Sequence, residues 1–227
     1  MTGQQATSGA SPAAVATSPW WRRLIEGRRA RTRRRDTVVV LYRELVGQAR
    51  EPFLYADLGV PDTREGRLEM VLLHAILVMR RLRAEGAAGK ELAQALFDLF
   101  FADVDRHLRE WGIGDLSVGR HVKKVAQSFY ARAGAVEPLL GDGGDVPALA
   151  GILARNVYGD EAAGGAATAG VGGDEAVATR LARYLQAQAA HLDLQPGNGL
   201  LAGRPGFAPA GRPGPGDAAL PPPSRED

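Results

Sequence analysis

The sequence predicts an all-α fold, a single compact helical domain with disordered N- and C-terminal tails. Three observations carry that prediction. Apolar residues between Asp36 and Tyr158 recur at helical spacing. The 29 glycines and 14 prolines gather at the ends and in one linker, which leaves roughly a hundred ordinary globular residues in the middle. Helix start and stop signals punctuate that middle: Pro61-Asp62-Thr63 with Glu65 reads as a capping box, and Gly112 and Gly114 end a helical run.

In a chain of 227 residues this gives five segments: a disordered basic segment at 1–35, a helical domain at 36–158, a flexible linker at 159–173, an amphipathic helix at 174–193 and a Pro/Gly-rich disordered tail at 194–227. Cysteine is absent, so disulfide frameworks, thiolate metal sites and cysteine nucleophiles are excluded. The net charge of +2 hides an asymmetry, because residues 1–35 hold eight Arg and one Glu while the rest of the chain is net acidic.

The first eighteen residues are polar and carry no apolar h-region, which argues against a secretory signal. Trp20, Trp21, Arg22, Arg23, Leu24 and Ile25 then open a basic stretch that continues through Arg28, Arg29, Arg31, Arg33, Arg34 and Arg35. Tryptophans at headgroup level and arginines near anionic lipid would anchor it on a membrane. The same arginines suit RNA phosphates, and a plain solvated tail is the bland alternative.

From Asp36, Val39, Val40, Tyr42, Leu45 and Val46 form a first core helix that ends before Pro52. The next helix runs from Asp62 to about Ala84. Its centre, Leu68 to Met79, is apolar on nearly all sides, as a helix packed on several faces must be, yet it is too short to span a bilayer, which takes about 20 apolar residues. His74 inside it reads as a satisfied packing residue or as a ligand, and no partner stands at ligand spacing.

A third helix is expected from about Lys90 to Trp111, with Leu92, Leu96, Phe100, Val104 and Leu108 on one face and Asp103 and His107 four apart in the same sector. A fourth, capped by Asp115 or Ser117, sets Val118, Val122, Val125, Phe129, Tyr130 and Ala133 against the core and Arg120, Lys123 and Lys124 opposite. The Asp103–His107 pair raises acid-base or metal chemistry, but the further histidines and the adjacent His-Asp dipeptide of hydrolytic sites are missing. The reading is therefore no enzyme, no metal and no cofactor. Gly114-DLSV-Gly119-Arg120-His121 lacks the Lys and Ser or Thr of a phosphate-binding loop and follows a helix, so nucleotide binding is rejected. Beyond Val146 a further helical pattern reaches Tyr158, and the 174–193 helix reads as a packing helix interrupted by Gln188.

Two strings, YADLGVPDTREGRLEMVLLHAILVMRRL from Tyr55 and QALFDLFFADVDRHLREWGIGDLSVGRHVKKVAQSFYARA from Gln94, resemble the ubiquinol-cytochrome c chaperone family over roughly residues 38–140. The resemblance implies a helical, non-enzymatic assembly factor for respiratory complex III. It implies that the partner is cytochrome b or its nascent chain, with a ribosome or a small partner subunit as further candidates; an anionic membrane surface is a candidate from the Trp/Arg stretch. DNA is not among the partners. The implied place is cytoplasmic, peripheral to the inner membrane, or the matrix side of the inner membrane in mitochondria. Tyr55, Asp57, Arg67, His74, Asp103, Arg109 and Lys123 sit in the matching motifs and, with Arg120, are the candidates for client contact. His107 departs from the family pattern and inherits no role. The alternative function is a helical adaptor for RNA, ribosome or anionic membrane.

Overall fold

The computed structural model describes residues 20–110, 114–141, 143–159 and 173–209. Residues 1–19 of the expected tail at 1–35, residues 210–227 of the expected tail at 194–227 and residues 160–172 of the expected linker therefore lie outside the described residues. The chain divides into two compact units, Met1–Arg34 and Arg35–Asp227. Described residues are helical with no strand: α1 Trp20–Ala49, α2 Pro52–Ala56, α3 Arg64–Arg83, α4 Gly86–Glu110, α5 Asp115–Val136, α6 Val146–Leu153, α7 Gly173–Asp193 and α8 Gly197–Leu201. A 3-10 turn, Glu137–Leu139, follows α5, and one wide π turn, Ala154–Tyr158, extends α6.

Helix α3 is the hub of the second unit, because an apolar surface all round must be covered all round. Residues Leu72 to Met79 are all buried. Around them pack α4, α7, the π turn and α8. Val38, Leu41, Leu45 and Ala49 of α1 are buried as well and belong to the same core. Thr63, in extended conformation, caps α3 by accepting the Gly66 N–H at 3.1 Å. Asp62, expected as the cap, pairs with Arg67 instead. A side chain at Gly66 would meet the Pro61 carbonyl oxygen at 2.1 Å, so the tight entry to α3 requires glycine. Gly89 is held to glycine in the same way by the Leu82 carbonyl, which lets α3 and α4 close as a hairpin.

The cap expected at Asp115 or Ser117 falls instead at Gly114, with the Ser117 hydroxyl donating to the Gly114 carbonyl at 2.8 Å. Phe129 takes the core position on α5 among Phe97, Phe100 and Phe101, and this leaves Tyr130, expected in the core, 63% exposed at the rim of the ring cluster. Helix α5 is tied to α3 by an ion pair that water hardly reaches: Arg132 Nε lies 2.7 Å from Glu69 Oε1, off-line for a hydrogen bond, and Nη2 donates to Oε2 at 3.2 Å.

The largest departure from expectation is the start of the C-terminal tail. Its glycine and proline content argues against a packed core, yet Leu200 is fully buried and Phe207 packs its ring on His74. Two apolar anchors and side-chain partners for its backbone hold so short a segment. Gln188, buried on α7, donates to the Ala208 carbonyl at 3.0 Å and accepts the Ala208 N–H at 2.9 Å. Arg81, also buried, donates from Nε to the Leu192 carbonyl and from Nη2 to the Gln195 carbonyl, both at 2.9 Å, and so satisfies orphan acceptors at the end of α7. Arg80 holds Asp193 bidentately beside it.

His74, a contact candidate by sequence that also reads as a packing residue, is completely buried and belongs to the core rather than to a contact surface. Its Nδ1–H donates to the Met70 carbonyl at 2.7 Å, so Nε2 accepts from the Tyr184 hydroxyl at 2.9 Å, and Tyr184 in turn accepts from Gln48 at 3.0 Å. Burial pushes the imidazole down from 6.5 to about 4, against the pull of the Met70 bond, and keeps it neutral at pH 7.

Two outcomes are expected. A histidine whose folded pKa lies below its unfolded one stabilises the fold fully above about pH 6.5 and loses that stabilisation as pH falls toward 4. The stability advantage of wild type over His74→Gln should therefore shrink by about 3 kcal/mol between pH 7 and pH 4, read from urea unfolding at each pH. Removing one partner of the Glu69–Arg132 pair strands a charge, so Arg132→Ala should cost about 3 kcal/mol, with the double variant Glu69→Leu/Arg132→Met recovering most of it.

Candidate functional site

A stripe on α1 sets the site. Val39, Arg43, Val46 and Arg50 fall at offsets 0, 4, 7 and 11, which places them on one helical face. That face is not the core face: Val39 is 40% exposed, whereas Leu41 and Leu45 are fully buried. Opposite it stand the first turns of α3, with Leu68 and Val71, and the last turns of α4, with Phe100, Val104 and Leu108. The hairpin between α3 and α4 brings those two ends together. The result is an open groove of about 480 Å³ with an apolar floor and Arg43, Arg50, Arg64, Arg67 and Arg106 along its walls. Its size is that of a ligand-binding cleft.

Asp103 fastens the groove. The Tyr42 hydroxyl donates to its Oδ2 at 2.7 Å and joins α1 to α4 across 61 residues of sequence. Arg106 pairs with Oδ1, and the His107 ring approaches Oδ2 at 3.3 Å while its Nδ1–H donates to the Asp103 carbonyl at 2.8 Å. Burial, then the bond to Asp103, pushes the Tyr42 phenol well above its ordinary value, so it stays a donor. Asp103 and His107 do meet, but the carboxylate is already engaged by two donors, Tyr42 and Arg106, and the imidazole N–H is spent on the backbone carbonyl. The arrangement positions helices.

Of the other sequence candidates, Arg67 lines the groove, with its guanidinium 5.9 Å from the centre of the Tyr55 ring and its Nε on Asp62 at 2.5 Å. That bond holds the Asp62 carboxyl below its usual range. Tyr55 is half-buried beside the groove and donates to the Ala49 carbonyl at 2.7 Å, closing the turn from α1 to α2. Asp57 is exposed at the end of α2, and Arg109 is exposed and pairs with Asp105. Arg120 and Lys123 are exposed on α5, away from the groove lining. Trp20, Trp21, Arg22, Arg23, Arg28, Arg29 and Arg33 lie on α1, and their side chains are outside the described residues; Arg34 and Arg35 are exposed.

This groove between α1, α3 and α4 is set in a chain whose residues 56–207 match the model of the family described as ubiquinol-cytochrome C chaperone. The chain belongs to that family. A crystal structure of the Cbp3 homolog from Brucella abortus is similar to it: 35% identical, covering 82% of this chain and 96% of that one, with a TM-score of 0.69. No curated protein sequence matches the chain. The family assignment makes this a ubiquinol-cytochrome c chaperone, and among the described residues no helix is long and apolar enough to cross a membrane.

Sequence reasoning missed the α1 wall of the chaperone's groove. The signal was available in the Val-Arg-Val-Arg stripe at 39, 43, 46 and 50, which is apolar where an exposed face need not be.

Tyr42→Phe should lower stability by about 2 kcal/mol, since it removes a hydrogen bond to a charged acceptor while leaving the ring in place. Guanidinium unfolding checks this. Circular dichroism should show an unchanged helix content.

Proposed function

We propose that the protein is a non-enzymatic chaperone that holds newly made cytochrome b for assembly of the ubiquinol-cytochrome c reductase complex, with the α1/α3/α4 groove as its client site. Family membership supports the assembly role. The observation that carries the client site is the groove itself, an apolar floor left open between three helices beside the core they share. An emerging transmembrane segment needs apolar cover until it is paired or inserted, and a helix laid in a groove is a common way to provide it. Arg67 and Asp103 are the sequence candidates that take part there; Tyr55 supports the rim. We place the protein at the cytoplasmic face of the inner membrane, with the Arg-rich helical stretch from Trp20 to Arg35 meeting anionic lipid.

Two neighbouring valines separate the client site from general surface effects. Val39 and Val40 are both 40% exposed, but only Val39 lines the groove. Val39→Glu should reduce recovery of cytochrome b with the tagged chaperone from solubilised membranes by about tenfold, while Val40→Glu should leave it within twofold; substitutions at such exposed positions cost about 0.5 kcal/mol or less in stability. Equal recovery with both variants and wild type would remove the groove from the function.

A further inference from the structure

The groove carries more positive charge than apolar cover requires. Five arginines face it, and the carboxylate within its lining, Asp103, is held by Tyr42 and Arg106. Arg67 is paired with Asp62 on an exposed edge. Arg43 and Arg50, both exposed, make no ion pair with any described residue. An arginine beside an apolar floor, with no carboxylate of its own, is a fork for one that arrives with the occupant.

The spread of the arginines identifies the occupant further. Arg43 and Arg50 stand seven residues apart on one face of α1, about 10 Å at 1.5 Å per residue. Arg64 and Arg67 belong to the start of α3 and Arg106 to α4, so the charge has no single pole. A lipid or fatty acid, with one anionic head, would engage one cluster and leave the others idle. The α1 wall from Val39 to Arg50 runs about 16 Å, the reach of a three-turn helix with anchors at i, i+3 or i+4, and i+7. The cytoplasmic flanks of membrane spans are enriched in Lys and Arg, which these walls would repel.

We propose that the groove selects a helical protein segment whose apolar stripe is flanked by Asp or Glu, with those carboxylates closing on Arg43 and Arg50. The proposal rests on the groove being the client site and adds the charge it reads.

The test uses the full chain and three labelled peptides sharing one apolar three-turn helix, flanked by Glu, Gln or Lys, with binding followed by fluorescence anisotropy at low salt. The Glu-flanked peptide should bind about tenfold more tightly than the Gln-flanked one and lose that advantage as salt rises. The double variant Arg43→Glu/Arg50→Glu should reverse the order and favour the Lys-flanked peptide, a gain that no unfolding defect can imitate. Equal binding of all three peptides, weakened by Val39→Glu, overturns the carboxylate selection and leaves the apolar client site standing. Binding indifferent to Val39→Glu overturns both. Displacement of all three peptides alike by phosphatidylglycerol vesicles, and not by phosphatidylcholine vesicles, assigns the arginines to lipid and also overturns the proposal.

Discussion

The neutral ring of His74 at the centre of α3 is the constraint on which the rest of the domain depends. A polar side chain there, inside a helix that is covered on every side, is tolerable only if both ring nitrogens are satisfied. The Met70 carbonyl satisfies one and the Tyr184 hydroxyl the other. Tyr184 stands 110 residues away on α7, and its own oxygen is completed by Gln48 of α1. One chain of hydrogen bonds thus fixes three helices distant in sequence. Arg81 and Gln188 repeat the logic: each is buried and binds carbonyls in residues 192–208, and Arg81 also pairs with Glu85. The family match runs to residue 207, where Phe207 covers the His74 ring. The C-terminal segment is part of the core it closes.

This allocation explains why a groove is left. Helices α7 and α8 and the segment after them occupy the α3 surface around His74, and α4 and α5 take their share through Phe100, Phe129 and the Glu69–Arg132 pair. Helix α1 buries Val38, Leu41, Leu45 and Ala49 and has no further element to cover Val39 and Val46 among the described residues. Asp103 then holds the wall at a fixed place, since its bond to Tyr42 bridges α1 and α4. Engaged by Tyr42 and Arg106, Asp103 contributes little free negative charge to a cleft otherwise ringed by guanidiniums.

What was legible in the sequence followed from local physics. The all-round apolar centre of α3 announced a buried hub, and the four-residue spacing of Asp103 and His107 announced that they would meet; both hold. Composition misled at Gln195 onward, because glycine and proline content averages over a segment, whereas Leu200 and Phe207 act as individual anchors in places that only the folded core defines. The α1 wall was hidden for a different reason. A stripe alternating valine and arginine reads as an ordinary solvated face until α3 and α4 are set opposite it, and that juxtaposition is tertiary. Tyr130 shows the same limit on a small scale: it shares the arc of Phe129, but only packing decides which ring takes the centre.

A chaperone must also let go, and the dimensions of the proposed client groove bear on that. About 480 Å³ receives only a few side chains of a bound helix, and burying an aliphatic side chain contributes about 1.5–3 kcal/mol. Three such anchors give about 5–9 kcal/mol, of the same order as the 4–15 kcal/mol lost in translational and rotational freedom on association. Apolar burial alone therefore holds a client weakly. Under the proposed selection the arginine walls would change the balance in a reversible way, because charge pairs at an exposed rim raise the encounter rate and lapse once the segment's flanks find other partners. A deeper, fully apolar pocket would hold longer and discriminate less. The shallow floor with charged walls suits transient custody, in which selection lies in the rim and release needs no unfolding of the core that His74 keeps together.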